Sequence, residues 1–143
     1  MILDIYGKVS ANQQITADAV STNGIDNGNV TPKRAIGTGE VLGFGVFIKA
    51  VGTQTGSAIL SAISSAASNL GTPTKMASIN LATADLALGK KWFIPIPPGQ
   101  PILRYIGVDY DITGTVDFTV DAFLMPLSMF ESAPLVAKGY TIQ

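Results

Sequence analysis

The 143-residue sequence contains no cysteine and no histidine. Those two absences remove Ser-His-Asp and Cys-His nucleophilic machinery, thiolate chemistry, histidine-ligated zinc and iron–sulfur clusters. A histidine pH switch and a small secreted fold stapled by disulfides are excluded with them. Charge is scarce too: nine basic and ten acidic residues leave a net charge of −1, and only 13% of residues are charged, where soluble domains average about 25%. Scattered basic residues balanced by acids make a poor phosphate-binding surface, so no nucleic-acid partner is expected. Long apolar runs are missing. The best block, Val41 to Ile48, ends at Lys49, well short of the roughly 18–20 residues of a spanning helix, so no membrane partner is expected. The opening Met-Ile-Leu-Asp-Ile-Tyr-Gly-Lys carries an acid at position 4 and too short an apolar run for a signal peptide.

What is present is apolar. Hydrophobic residues make up 47% of the chain and the mean hydropathy is +0.37. The length suits one domain able to bury about 70% of its unfolded surface. A surface with so little charge is expected to be covered in part by other protein.

The strongest pattern lies between Ile102 and Met125. Ile106, Val108, Tyr110 and Ile112 share one face of an alternating segment, with Asp109 and Asp111 on the other. After Thr113-Gly114-Thr115, the alternation resumes with Val116, Phe118, Val120, Ala122 and Leu124 against Asp117, Thr119 and Asp121. Period two across a glycine break predicts an antiparallel hairpin centred on Gly114, pairing Tyr110 with Phe118 and setting Asp111 opposite Asp117. Such a half-buried pair belongs in a β-sandwich or barrel.

Elsewhere, residues 1–13 read as an arm, Ile15 to Val20 as a strand and Ser21 to Pro32 as loop and turns. Val41 to Val51, interrupted by Gly43 and Gly45, predicts a buried strand with a bulge or close backbone approach. Ser57 to Leu70 is ambiguous. Ile59, Leu60, Ile63, Ala66, Ala67 and Leu70 follow a helical period, while a strand over 57–63 followed by a turn competes with it. Met76 to Leu81 and Trp92 to Ile96 read as strands, with a helical turn over Thr83 to Leu88 between them. The proline-rich Pro95 to Pro101 is a rigid connection. From Ser128 onward the apolar residues keep no period, so 128–143 reads as a tail and 14–127 as the sandwich domain.

Chemistry is sparse. The aspartates of the predicted hairpin could bind Ca²⁺ or act as an acid–base pair, but the outer face of a half-buried sheet has to be polar in any case. Gly37-Thr-Gly39-Glu-Val-Leu-Gly43 lacks the third glycine of a dinucleotide fingerprint, and Gly89-Lys90-Lys91 lacks the rest of a phosphate loop. No catalytic residue, cofactor or metal site is predicted, and the chain is not expected to be an enzyme. The candidate sites are interface residues: Met1, Ile2, Leu3 and Tyr6 at one end, Phe130, Leu135 and Tyr140 at the other. They lack the period needed to pack in their own sandwich.

Several segments, in order, resemble the capsid cement, or decoration, proteins of short-tailed bacteriophages, the family known from a Bordetella phage. They are Met1-Ile-Leu-Asp4, Ile15-Thr-Ala-Asp-Ala-Val-Ser-Thr-Asn23 with Ile25-Asp26, and Thr74-Lys-Met-Ala-Ser78 with Ala84-Asp85-Leu86. Phe93-Ile-Pro95, Arg104-Tyr105 and Tyr110-Asp-Ile-Thr-Gly-Thr115 complete the set. The stretch after Val116 has no matching counterpart. The resemblance implies an all-β, jelly-roll-type antiparallel sandwich with a short helical turn and extended termini, and it places Ser57 to Ile63 in a strand. It further implies a non-enzymatic virion protein on the capsid exterior whose partners are the major capsid (coat) protein and itself, as a homodimer or a trimer. A carbohydrate-binding β-sandwich, with Trp92 or Tyr105 as a stacking surface, is the rival expectation.

Overall fold

The computed structural model of the protein describes residues 8–26, 42–97 and 102–132. Its strands are β1 (Lys8–Ile15), β2 (Ala19–Val20), β3 (Ile25–Asp26), β4 (Leu42–Val51) and β5 (Ser57–Ser65). They continue as β6 (Thr74–Leu81), β7 (Lys91–Pro95), β8 (Tyr105–Thr113) and β9 (Phe118–Pro126), followed by a short helix, α1 (Leu127–Ser132). A single 3-10 turn, Thr83–Asp85, lies between β6 and β7. It is closed by the Asp85 carboxylate, which accepts the Ala82 N–H at 3.0 Å.

The strands form two antiparallel sheets. One has the order β1-β9-β4-β7; the other runs β2-β8-β5-β6, with β3 also on β8. β2 and β3 behave as two pieces of one interrupted strand, since Ala19 pairs with Tyr110 and Ile25 with Ile106 on the same partner. Counted that way, the first strand pairs with the last, the second with the next to last, and so inward to β5 with β6. That nested pairing, folded over into two layers, is an eight-stranded jelly roll. The core between the layers holds Phe44, Val46 and Ile48 of β4, Leu60 of β5, Tyr110 of β8 and Phe118 of β9, all buried.

The alternation in β8 and β9 assigns their inner faces correctly, but the hairpin expectation is overturned. β8 and β9 lie in different sheets. Their apolar stripes face one another across the core rather than lying side by side, because period two reports which face is buried and is silent about the hydrogen-bonded neighbour. Tyr110 pairs with Leu60 and Ala19, and Phe118 with Val51 and Ile15. The connection between β8 and β9 crosses from one layer to the other and is bound to the β4–β5 crossing. Thr115 O accepts the N–H groups of Thr55 and Gly56, and Asp117 O accepts that of Gly52. Gly114 takes φ +81° at the corner, a conformation that favours glycine.

Ser57–Ser65 is a strand, as the resemblance implies and against the helical period. The period misleads because the strand becomes buried on both faces. Ala58, Leu60 and Ala62 line the core, and Ile63 on the opposite face is fully covered. Leu70, at φ +60°, folds back over that outer face, filling space left by Gly107. Of the arm expected over residues 1–13, Lys8 to Gln13 belong instead to β1 and pair with β9, and residues 1–7 lie outside the described residues. Polar residues there follow a sheet edge, and an edge strand with bulges shows no clean alternation.

Candidate protein-interaction surface

The two outer faces of the sandwich differ in character. On the β1-β9-β4-β7 sheet, alternation that keeps Phe44, Val120 and Ile94 inside turns Phe47, Phe123, Met125 and Phe93 outward. These four form a second apolar cluster, and Phe130 of α1 lies on it. Ring centroids are 6.1 Å apart for Phe47 and Phe130, 5.2 Å for Phe93 and Phe130, and 6.1 Å for Phe47 and Phe123. Gly45 makes room beneath: a Cβ there would sit 2.9 Å from Met125 Sδ and 3.0 Å from Phe130 Cδ2. Lys91 closes the arrangement. Its Nζ donates to the Phe130 carbonyl at 2.9 Å and the Glu131 carbonyl at 3.3 Å, and lies 4.9 Å from the Phe130 ring centroid. A helix of six residues cannot stand alone, so this packing supplies its stability.

Beside the aromatic cluster, the same face carries a nearly buried carboxylate. Asp121, 5% exposed, accepts the Asn12 N–H at 2.8 Å and lies 3.2 Å from Lys49 Nζ and 3.6 Å from Lys8 Nζ. The β1 bulge, with Asn12 at φ 48°, aims that N–H inward. Lys8 also sits 5.1 Å from the Phe123 ring centroid, linking the charged and aromatic parts.

The β2-β8-β5-β6 sheet presents a polar outer face. Lys75 lies 3.7 Å from Asp109 and 3.9 Å from Asp111, Ser61 and Ser78 share a hydrogen bond of 2.8 Å, and Asp18 accepts the Ile112 N–H at 2.7 Å. Asp18, Asp109, Tyr110 and Asp111 line an open cleft of about 230 Å³. Burial pushes the Asp109 carboxyl above its usual range; Lys75 opposes the shift, and Asp111 and Asp18 add to it. Among the described residues, no group of three or more acidic, histidine or cysteine side chains is arranged to hold a metal ion. Arg104 forms a two-point ion pair with Asp26, at 2.9 and 3.0 Å.

The aspartates read from the sequence as one row are therefore dispersed. Asp109 and Asp111 lie on one sheet and Asp121 on the outer face of the other. Asp117 sits at the layer crossing, where its carboxylate accepts from Gln14 Nε2 at 2.9 Å. Trp92 is no open platform: its ring packs on the main core and its Nε1 donates to the Asp85 carbonyl at 3.0 Å. Tyr105 lies on the opposite sheet, half-buried, with the Arg104 guanidinium 5.1 Å from its centroid.

Of the interface candidates, Met1, Ile2, Leu3, Tyr6, Leu135 and Tyr140 lie outside the described residues. Phe130 lies inside them, half-buried, and packs on its own sheet. The reason is the outward apolar cluster, which the sequence reading missed. Its signal was present in β9. Thr119 and Asp121 hold the outward phase, and then Phe123 and Met125 occupy it, so the second half of the strand is apolar on both faces.

No curated protein matches the sequence. The model of the Bbp16 family matches residues 9–123, from β1 into β9, and so extends past Val116, where the resemblance had been expected to stop. The matched span covers most of both sheets and well over half of the chain, and the chain therefore belongs to the Bbp16 family, a Bordetella phage protein family.

Proposed function

We propose that the protein is a non-enzymatic virion structural protein, a capsid cement or decoration protein that binds the outside of an icosahedral shell. Family membership is the observation that carries this reading, since the matched residues 9–123 span nearly the whole jelly roll of a phage protein family. Two features of the chain support it. The chain has no histidine or cysteine for common catalytic chemistry. The outer face of the β1-β9-β4-β7 sheet carries an apolar cluster beside its ion pairs, and on that cluster lies α1, from which residues 133–143 continue.

In this reading the mechanism is mechanical. The face bearing Phe93 and Phe130, together with the residues at both ends of the chain, rests across a joint between coat subunits. Binding free energy at each joint must be lost before the shell can open, so occupancy stabilises the closed shell by mass-action linkage. Many copies on one shell multiply the effect.

Co-sedimentation of the purified protein with emptied shells, followed by imaging of the decorated particles, tests the proposal. Saturable binding and a raised rupture temperature are expected. Deleting residues 1–7 or 133–143, cuts that leave every described strand and α1 intact, should weaken decoration while circular dichroism stays unchanged. No decoration by the intact chain would overturn the cement role. Equal decoration by intact and shortened chains would overturn the part assigned to the termini.

A further inference from the structure

The two strands flanking β9 are both bulged close to Asp121. On β1, Ser10 pairs with Ala122 and Gln13 with Val120, so Ala11 and Asn12 together face the single residue Asp121. On β4, Ile48 pairs with Val120 and Ala50 with Thr119, which leaves Lys49 as the extra residue. A bulge re-aims a side chain that a regular ladder would hold elsewhere. Here the two bulges bring Asn12 and Lys49 together over β9. Lys49 Nζ donates a hydrogen bond to Asn12 Oδ1 and lies 3.2 Å from Asp121 Oδ2. Asp121 Oδ1 accepts the Asn12 N–H at 2.8 Å and has Lys8 Nζ 3.6 Å away, leaving Oδ2 to Lys49.

Tolerance of φ 48° explains an asparagine at position 12, and the neighbouring anion explains a lysine at 49. Neither requires the two side chains to meet. An amine, a carboxamide and a nearly buried carboxylate in mutual contact are the parts of a transamidation. We propose that Lys49 and Asn12 become joined by an isopeptide bond, formed by the folded chain itself with Asp121 as the proton carrier.

The step needs no oxidant, metal or second substrate. Asp121 Oδ2 draws a proton from the Lys49 ammonium, and the freed lone pair attacks Asn12 Cγ. The bond from Cγ to Nζ forms, and the bond from Cγ to Nδ2 breaks. Two protons pass from Nζ to Nδ2 through the carboxylate, which ends as it began, and the nitrogen of the amide leaves as ammonium. The last torsion of asparagine is broad, so the amide can turn its face to Nζ. Contact between the reactants replaces a bimolecular encounter. Both side chains remain partly in water, which makes the reaction slow. The product ties edge strand β1 to β4 across β9, locking the sheet that carries the aromatic cluster and α1. This inference stands independently of the capsid reading.

The intact mass of the full chain tests it. Freshly folded protein should show the full mass, and protein kept folded for several days should be lighter by one ammonia. Tryptic digestion of the aged protein should give a branched peptide, in which the segment starting at Val9 is joined to Ala35–Lys75, uncut at Lys49. Protein aged in urea should give none. Asn12→Gly keeps the left-handed backbone and Lys49→Arg keeps the charge, but each removes a reacting group, so neither should give the branch. Asp121→Asn keeps an acceptor oxygen without a proton carrier and should slow linkage by about 10²-fold. Full mass after ageing of the folded parent would overturn the proposal. So would loss of ammonia without a branch, as cyclisation at Asn23-Gly24 would give. A branch formed equally fast in Asp121→Asn would overturn the part assigned to that carboxylate. The digest of the parent decides the matter if any variant fails to fold.

Discussion

The Tyr110 hydroxyl, from an interior strand of one sheet, lies 2.9 Å from Ser10 Oγ on an edge strand of the other. Ser10 Oγ donates onward to Gln13 Oε1 at 2.7 Å, which leaves Tyr110 to donate to Ser10. Gln13 Oε1 also accepts the Thr22 N–H at 3.1 Å, and its Nε2 donates to the Val20 carbonyl at 2.8 Å. One buried phenol thus ties β8, β1 and β2 together through a satisfied polar chain. The irregular pairing of β1 between Ser10 and Gln13 lets both side chains join that chain.

Tyr110→Phe keeps the ring and removes only the donor. Ser10 Oγ retains Gln13 as partner, so the loss is expected to be about 0.5–1.5 kcal/mol. Tyr110→Ala opens a cavity as well and should cost about 3–5 kcal/mol. Urea unfolding checks both, and the slope should not change if the sandwich remains intact.

The same phenol predicts an alkaline limit. Complete burial raises its pKa well above the ordinary value of 10.0, and Asp121 adds to the shift. The unfolded chain releases this proton from about pH 10 upward, while the folded chain holds it. Its contribution to stability is therefore whole below that pH. Above it, up to about 1.4 kcal/mol is lost per pH unit until the folded pKa is reached. Stability measured against pH should fall less steeply above this threshold in Tyr110→Phe than in the parent. Identical slopes would show that Tyr110 ionises without unfolding.

These predictions rest on a register that sequence patterning reaches only halfway. The face of each residue in β8 and β9 was legible, because burial on one side imposes period two. Their partners were not. Tyr110 and Phe118 satisfy the same pattern whether they sit side by side or meet across a core, and the choice depends on contacts made by β4 and β5. Ser57–Ser65 was obscured by its two-sided burial, and Phe130 by a surface assembled from β4, β7 and β9. Single residues with local causes, such as the turn at Gly114 and the close backbone approach at Gly43, where an added Cβ would meet Ile94 O and Pro95 Cα, read more directly.

Asp121 provides a third prediction. Asp121→Ala leaves the Asn12 N–H without its acceptor and two lysines without their anion, and should cost about 1–3 kcal/mol. Asp121→Asn retains an acceptor oxygen and should cost less. Lys8→Met and Lys49→Met each remove a partner that is 23% or 31% exposed, so each should cost under about 1 kcal/mol. Raised salt should narrow the gap between the parent and the lysine variants. If both lysine variants matched Asp121→Ala, the carboxylate would be held by charge rather than by the bulge.

The last prediction separates α1 from the sandwich beneath it. At Gly45 an added side chain would press on Met125 and Phe130, at 2.9 and 3.0 Å from its first carbon. Met125 is flexible, and α1 is held by Phe130 packing and the Lys91 contacts, so the strain should be relieved by lifting the helix. Gly45→Val should therefore cost about 1–3 kcal/mol. Amide protection over residues 127–132 should disappear while that of β4 and β9 persists. Phe130→Ala should release the same segment at a cost below the roughly 3–5 kcal/mol of a fully buried phenylalanine, because this ring is only half-buried. Hydrogen exchange read segment by segment distinguishes the outcomes. Loss of protection confined to α1 would make it a detachable cover over Phe47, Phe93 and Phe123. Simultaneous loss throughout the β1-β9-β4-β7 sheet would make it part of the core, and the surface offered to a shell would then be the outside of the helix rather than the aromatics beneath it.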